Sequence, residues 1–439
     1  MTYNILLVSF DDAVAPWPYK TVFGEPLRTP NIDRLCDVST AFHAAYAQAP
    51  VCGPSRASMM TTLMPPELGI LDNSVFAFDR ITPSMVWSHQ LRQNGYFCSS
   101  GGKVHHRYKP LRPRDHNVLY DDERKHFSDD MGLPREIRKR AKAFGGNRNG
   151  RGTQDGTDDG FYYDSQSADS AISFLTGYDG SRPFYREVGF FSPHVPHLTP
   201  ARFKRMYDSK NLRRPPEWCG YLHDNTFVNE TLPEDPHLQS EEWWQLCVRN
   251  YFSAYSHGDY HLGRVLDALH NSRHAKNTLV VVVADHGFHL GNRNLFRKMT
   301  MWEQSLRVPF IVYDPLDRVR QEIHDPIELI DLGPTILDYA GVTPNMRRHG
   351  RSLRPILGGA RDPHRSAISF LRENTSMFKD GMRIIRYGDG SYQLFDVERD
   401  FWNLNDLGTD HPRFAEMSAE LARRTEDCGP PEEKPFPPE

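Results

Sequence analysis

The chain has 439 residues, 38% of them hydrophobic and 25% charged, with a formal net charge of −4 built from mixed signs. That length exceeds one average domain and can bury a large core, so an α/β domain with a smaller companion is expected. No basic stripe favours nucleic acid as a partner, and the longest apolar run, near residues 279–284, falls far short of the roughly 18 residues that span a bilayer.

In chain order, residues 3–10 form a β-rich apolar run that stops at Asp11 and Asp12, the pattern of a buried parallel strand ending in a functional loop. The opening Met-Thr-Tyr-Asn carries neither a basic leader nor a small-residue cleavage site, so a soluble, cytoplasmic protein is expected. Residues 50–62 read Pro-Val-Cys-Gly-Pro-Ser-Arg-Ala-Ser-Met-Met-Thr-Thr. Pro54 suits the first turn of a helix, which sets Cys52 at a helix N-terminus, where free N–H groups, the dipole and Arg56 favour an anionic group. Taken alone, such a cysteine is most often an inert buried thiol. The other five, at 36, 98, 219, 247 and 428, show neither Cys-x-x-Cys spacing nor disulfide density and read as free thiols.

A helix is expected over Ser84–Asn94, ended by Gly95. Residues 107–164 shift to Arg, Asp, Gly and Asn and read as a long polar surface insertion. Tyr251–Leu269 has helical apolar spacing and leads into a second buried strand, Asn277–Ala284, which ends in Asp285 and His286. Pro, Gly and Arg accumulate at 344–364, dividing a large domain over 1–345 from a small α+β domain over 346–439. In the latter, Ser366–Leu371, Met382–Tyr387 and Tyr392–Val397 read as short strands and Pro412–Glu426 as a closing helix, before a mobile tail over 429–439.

Ligands in open α/β sheets collect beyond the carboxyl ends of strands, so the two strand-end pairs can converge on one site. Asp11, Asp12, Asp285 and His286 would then surround a single cation. Adjacent carboxylates suit a hard ion such as Ca²⁺ or Mg²⁺, whereas an imidazole is more typical of Zn²⁺ or Mn²⁺.

Seven segments, in order, carry a resemblance. They are Ile5–Asp12, Thr29-Pro-Asn-Ile-Asp-Arg-Leu35, Ala49–Thr62 with its Cys-x-Pro-x-Arg, Gly102-Lys-Val-His-His106, Ser192-Pro-His-Val-Pro196, Ala284-Asp-His-Gly-Phe-His-Leu-Gly291 with Lys298, and Leu394-Phe-Asp-Val-Glu-Arg-Asp400. In these the chain resembles the type I sulfatases of the alkaline phosphatase superfamily, particularly the iduronate-2-sulfatase-like branch. The resemblance implies an α/β catalytic domain with a mostly parallel central sheet flanked by helices, plus a C-terminal domain with a short antiparallel sheet and a helix.

It also implies that Asp11, Asp12, Asp285 and His286 hold a divalent ion, most often Ca²⁺, against Cys52, which a formylglycine-generating enzyme oxidises to formylglycine. The hydrated aldehyde would attack sulfur with one hydroxyl and expel sulfate with the help of the other. Arg56 would hold the diol, Lys103 and Lys298 the sulfate oxygens, and His194 the leaving-group side. His105 aligns with the histidine that bonds the diol, narrowly ahead of His106, the position used in the iduronate-2-sulfatase branch. Tyr19, His197, His289 and Asn292 lie beside motif residues and would line the pocket. The substrate would be an aryl, alkyl or sugar sulfate, and a homo-oligomer is compatible with the pattern. Thr62 stands where the family signature closes with glycine, which should weaken a turn. Two other functions compete. One is a formylglycine-dependent phosphonate monoester or phosphodiester hydrolase, although such relatives usually carry an amide where Asp12 is an acid. The other is a catalytically dead binding protein, although nucleophile and ligands are all present.

Overall fold

In the computed structural model, which describes residues 2–106, 109–127, 142–143, 151–153, 159–218, 226–344 and 349–429, the first apolar run is strand β1 (Asn4–Asp11), buried at every position. It joins β2 (Thr40–Phe42), β3 (Phe97–Gly102), β4 (Phe184–Pro193), β5 (Thr278–Ala284), β6 (Phe310–Tyr313) and β7 (Gln321–Ile323) in a sheet of order β7-β2-β6-β5-β1-β4-β3. Strands β5, β1, β4 and β3 are parallel, and β6 runs against its neighbours β5 and β2. β1 and β5 are paired on both edges and covered on both faces, which is why each reads as a continuous apolar run rather than an alternating one.

The described α-helices of seven or more residues are α1 (Pro30–Cys36), α2 (Cys52–Thr61), α3 (Trp87–Gln93), α4 (Pro113–Leu119), α5 (Tyr163–Gly177), α6 (Glu241–His270), α7 (Leu332–Ala340) and α8 (Phe414–Asp427). Successive side chains of β1 reach opposite layers: Phe10 packs on Tyr255 of α6, while Ser9 bonds Arg56 of α2. α6 begins ten residues before the expected start, because Ser240 caps it by accepting from Trp243 N at 3.3 Å, with Glu241 and Glu242 in the first turn.

The C-terminal sheet is antiparallel, β8 (Ser366–Leu371), β9 (Asn374–Lys379), β10 (Met382–Arg386) and β11 (Tyr392–Asp396) in that order. β9 is additional to the three strands expected. One cluster joins Ile368, Met377, Ile384 and Leu394 to Met417 and Leu421 of α8. Another joins Leu371, Ile385 and Phe395 to Val51 and Trp302, which wedges the small sheet against the residue preceding Cys52.

Of the expected surface insertion, the described part includes α4 and the buried Leu119 and Tyr120, so this portion packs into the core rather than over it. Most of the remainder lies outside the described residues, as do Cys219 and residues 430–439 of the expected tail. Cys36, Cys52, Cys98, Cys247 and Cys428 are unbridged. No described helix is long and apolar enough to cross a membrane.

Candidate active site

Four strand ends and one helix start converge. β1 delivers Asp11 and Asp12, β5 delivers Asp285 and His286, β3 is followed by Lys103, β4 by His194, and α2 opens with Cys52. Two glycines allow the approach of β3 to β4. A Cβ on Gly189 would fall 2.2–2.4 Å from the Lys103 backbone, and one on Gly102 (φ +93) would meet Gly189 O at 2.0 Å. Asp12 adopts φ 64, held by its N–H to Asp285 Oδ1 at 3.0 Å and by the Tyr251 hydroxyl on its carbonyl at 2.6 Å.

Every residue of α2 is buried, and its first turn is tied down rather than open. Gly53 N donates to Asn73 Oδ1 at 2.8 Å, Ser55 N to Val51 O at 3.0 Å, and Ser55 Oγ to Asp285 O at 2.5 Å. The helix ends at Thr62 with φ 59, a conformation that costs a β-branched residue more than glycine. The turn nevertheless forms. Thr62 N donates to Ser58 O at 2.6 Å, and Gly333 of α7 leaves room for the threonine methyl, which a Cβ there would meet at 2.7 Å.

Arg56 binds the scaffold of the site rather than the sulfur. It donates to Asp285 Oδ2 at 2.9 Å and Asp11 Oδ1 at 3.3 Å, and to the carbonyls of Phe10, Lys103 and Val104 and the Ser9 hydroxyl. Lys103 Nζ pairs with Asp11 Oδ2, and Lys298 Nζ lies 2.7 Å from Asp12 Oδ1 and 3.0 Å from Cys52 Sγ. His286 Nε2 is 3.2 Å from the same sulfur, its Nδ1 facing Gly287 O at 2.9 Å.

Burial opposes charge on the Cys52 thiol, yet Lys298, Lys103 and His286 hold it well below its ordinary value, aided by a hydrogen bond from the His106 side chain. Two carboxyls are driven in opposite directions. Against burial, Lys103, His194 and Arg56 hold Asp11 below the usual carboxylate range; burial pushes Asp285 up to about 7 in spite of Arg56. Also against burial, Asp285, Cys52 and Asp12 raise His286 to about 9. The cluster therefore draws positive charge.

The structure reverses the narrow preference for His105 over His106 as the neighbour of Cys52. His105 Nε2 faces the Tyr120 hydroxyl at 3.1 Å and its ring stands edge-on to Phe78, whereas it is the His106 side chain that acts on the Cys52 thiol and lowers its pKa. His194, partly exposed, places Nε2 3.9 Å from Asp12 Oδ2. The four residues expected to line the pocket are buried elsewhere. Tyr19 joins Phe23, Phe401 and Trp402, and His197 packs against Tyr251 and Phe296. His289 bonds Thr300 and Asn292 bonds the Trp402 carbonyl. Sequence reasoning missed Ser9, Ser55 and Tyr251 as supports of the site. It also missed Asn73 and Asp164, which accepts from Phe191 N at 2.5 Å and Ser192 N at 3.1 Å and so holds the turn before His194.

The donor set fits a divalent cation. Ligand atoms lie within 4.8 Å of one another in three overlapping groups, Asp12–Cys52–His286, Asp11–Cys52–Asp285 and Asp11–Asp12–His194. Asp12 Oδ2 is buried with no hydrogen-bond donor, which is costly unless another positive group meets it. Acids on the carboxyl edge of a mostly parallel sheet, facing a lysine-flanked cysteine at a helix start, define a hydrolase of the alkaline-phosphatase-like fold.

The chain belongs to the sulfatase family, whose profile matches residues 3–342; the profile of the C-terminal region of N-sulphoglucosamine sulphohydrolase matches residues 291–428. It is a sulfuric ester hydrolase. A sulfatase of Formosa agariphila is 29% identical over 90% of this chain and 81% of its own, and iduronate 2-sulfatase of Mus musculus is 29% identical over 77% and 69%. The phosphonate monoester hydrolase of Agrobacterium radiobacter shares the fold, with a TM-score of 0.76 at 18% identity over 97% of this chain and 95% of its own.

Proposed function

We propose that this sulfatase acts through Cys52 in its formylglycine form, matured by a formylglycine-generating enzyme, on small aryl, alkyl or sugar sulfates. The observation that carries this reading is the position of the sulfur. It lies 3.0 Å from Lys298 Nζ and 3.2 Å from His286 Nε2, beside the unpartnered Asp12 Oδ2. Asp11, Asp12, Asp285 and His286 would hold one divalent cation, Ca²⁺ by the hardness of three carboxylates. When bound, that ion supplies Lewis acidity at the sulfate oxygens.

The other roles follow from the contacts. Arg56 fixes the carboxylates of Asp11 and Asp285, so it sets the shape of the cation cradle. Lys298 faces both the nucleophile position and Asp12, where it neutralises charge gathering on a tetrahedral anion; Lys103 adds a second positive charge beside Asp11. His106 holds a proton at the nucleophile. His194, partly exposed beside Asp12, would protonate the leaving alcohol. His105 supports from behind.

Two measurements test the reading. The Cys52 peptide from the native host should show the mass loss of a thiol exchanged for an aldehyde, and Cys52→Ala should lose at least about a thousand-fold in kcat with folding intact. Turnover of an aryl sulfate should exceed that of the matching aryl phosphonate. An unmodified thiol with full activity, or an order-of-magnitude preference for the phosphonate, would overturn it.

A further inference from the structure

Behind the turn from Lys103 to His106 runs a buried polar chain that the chemistry above leaves unused. Glu187, in the middle of β4, is fully buried, and Tyr120, just after α4, nearly so. The Tyr120 hydroxyl donates to Glu187 Oε2 at 2.6 Å, and the hydroxyl oxygen itself lies 3.1 Å from His105 Nε2. A phenol has one proton. Having given it to the carboxylate, Tyr120 can only accept from the imidazole, so His105 carries its proton on Nε2. Burial, with Arg56 nearby, keeps that ring neutral, its pKa lowered to about 3.

The turn so anchored carries working parts on both sides of His105. Lys103 reaches Asp11, His106 reaches Cys52, and the carbonyls of Lys103 and Val104 accept from Arg56 at 2.6 and 2.9 Å. We propose that Glu187 and Tyr120 are positioning residues for the sulfatase reaction, fixing through His105 the turn that presents Lys103 to Asp11 and His106 to Cys52. The inference rests on the reading of Cys52 as the reacting position.

The chain also has a direction. With Glu187 ionised, protons point from His105 to Tyr120 to Glu187. When one proton enters at His105 Nδ1, the Nε2 proton passes to Tyr120 and the Tyr120 proton to Glu187, so that Glu187 then donates to Tyr120, Tyr120 to His105 Nε2, and the imidazole keeps its proton on Nδ1. The groups facing Glu187 are Tyr120 from the segment after α4, Ser100 and Cys98 from β3, and Tyr185 and Arg186 from β4. Burial outweighs the Tyr120 hydrogen bond and the charge of Arg186 and raises Glu187 to about 7, which puts the reversal in the neutral range.

Tyr120→Phe keeps the ring and removes the link. It should lower kcat on an aryl sulfate about ten-fold, the worth of one buried hydrogen bond, with KM close to wild type and a lower Tm, because Glu187 loses its donor. Glu187→Gln still offers Tyr120 an acceptor, so it should keep more activity than Tyr120→Phe. It should also abolish the wild-type decline of kcat/KM as pH falls through about 7. An unchanged kcat in Tyr120→Phe, or an inflection that survives Glu187→Gln, overturns the proposal. A readout independent of turnover is the ¹⁵N spectrum of labelled histidines, with His105 assigned by its loss in His105→Asn. It should show the Nε2–H tautomer at alkaline pH and a shift on acidification that Glu187→Gln lacks; the Nδ1–H tautomer at alkaline pH overturns the chain. That result stands even if the wild type hydrolyses no sulfate ester, the outcome that would sink the sulfatase reading instead.

Discussion

Buried charge is treated in opposite ways at two places in this molecule. Where the small sheet meets the large domain, Glu303 Oε2 accepts from Arg383 at 2.7 and 3.1 Å and Oε1 from the Tyr46 hydroxyl at 2.9 Å, while Arg383 also bonds Ser376 at 2.9 Å. Both carboxylate oxygens have donors of matching geometry. At the carboxyl edge of the large sheet, Asp12 Oδ2 is as deeply buried and has none, and His194 stops 3.9 Å short of it. A saturated buried ion pair holds a structure together, whereas an unfinished one is held in place by the structure for something that arrives later.

Three substitutions break or sharpen that contrast. Glu303→Met strands Arg383 without its carboxylate and should cost about 3–5 kcal/mol in denaturant unfolding, while the folded fraction keeps its kcat. Asp12→Asn should do the reverse. Turnover should fall at least about 100-fold, and Tm should hold or rise, because a carboxylate crowded by Asp11 and Asp285 has been neutralised. Similar losses of stability from both, with activity surviving in Asp12→Asn, would erase the distinction. The smallest effect tests strain rather than charge. Thr62→Gly relieves the left-handed threonine but gives up its methyl contact at Gly333, for a net gain of about 1 kcal/mol or less, read from the unfolding midpoint.

The two central strands and the acids that end them were legible because parallel strands buried on both faces leave uninterrupted apolar runs, and charge appears abruptly where they stop. The additional strand β9 was not, since Asn374-Thr-Ser presents a polar start and its burial depends on the neighbouring strands. The first ten residues of α6 were missed although Ser240-Glu-Glu carries a legible cap. Nothing in the sequence orders His105 against His106, because adjacent side chains in a turn diverge and only the backbone path decides which meets the sulfur. Asn73 and Asp164 lie in segments without a pattern, and they act through backbone N–H groups that no composition reveals.

The complete burial of α2 sets a schedule for making the protein. No solvent reaches the Cys52 sulfur once the strand ending at Asp285 and the loop bearing Lys298 have closed over it. On the maturation proposed above, an oxidising enzyme would have to reach residues 50–62 before the fold closes over them. The segments that seal the site follow more than two hundred residues later, which at ordinary translation speed leaves a window of roughly ten to fifty seconds. Under that proposal, molecules that fold first would keep the thiol, and the active fraction of a preparation would record a race between two processes during biosynthesis.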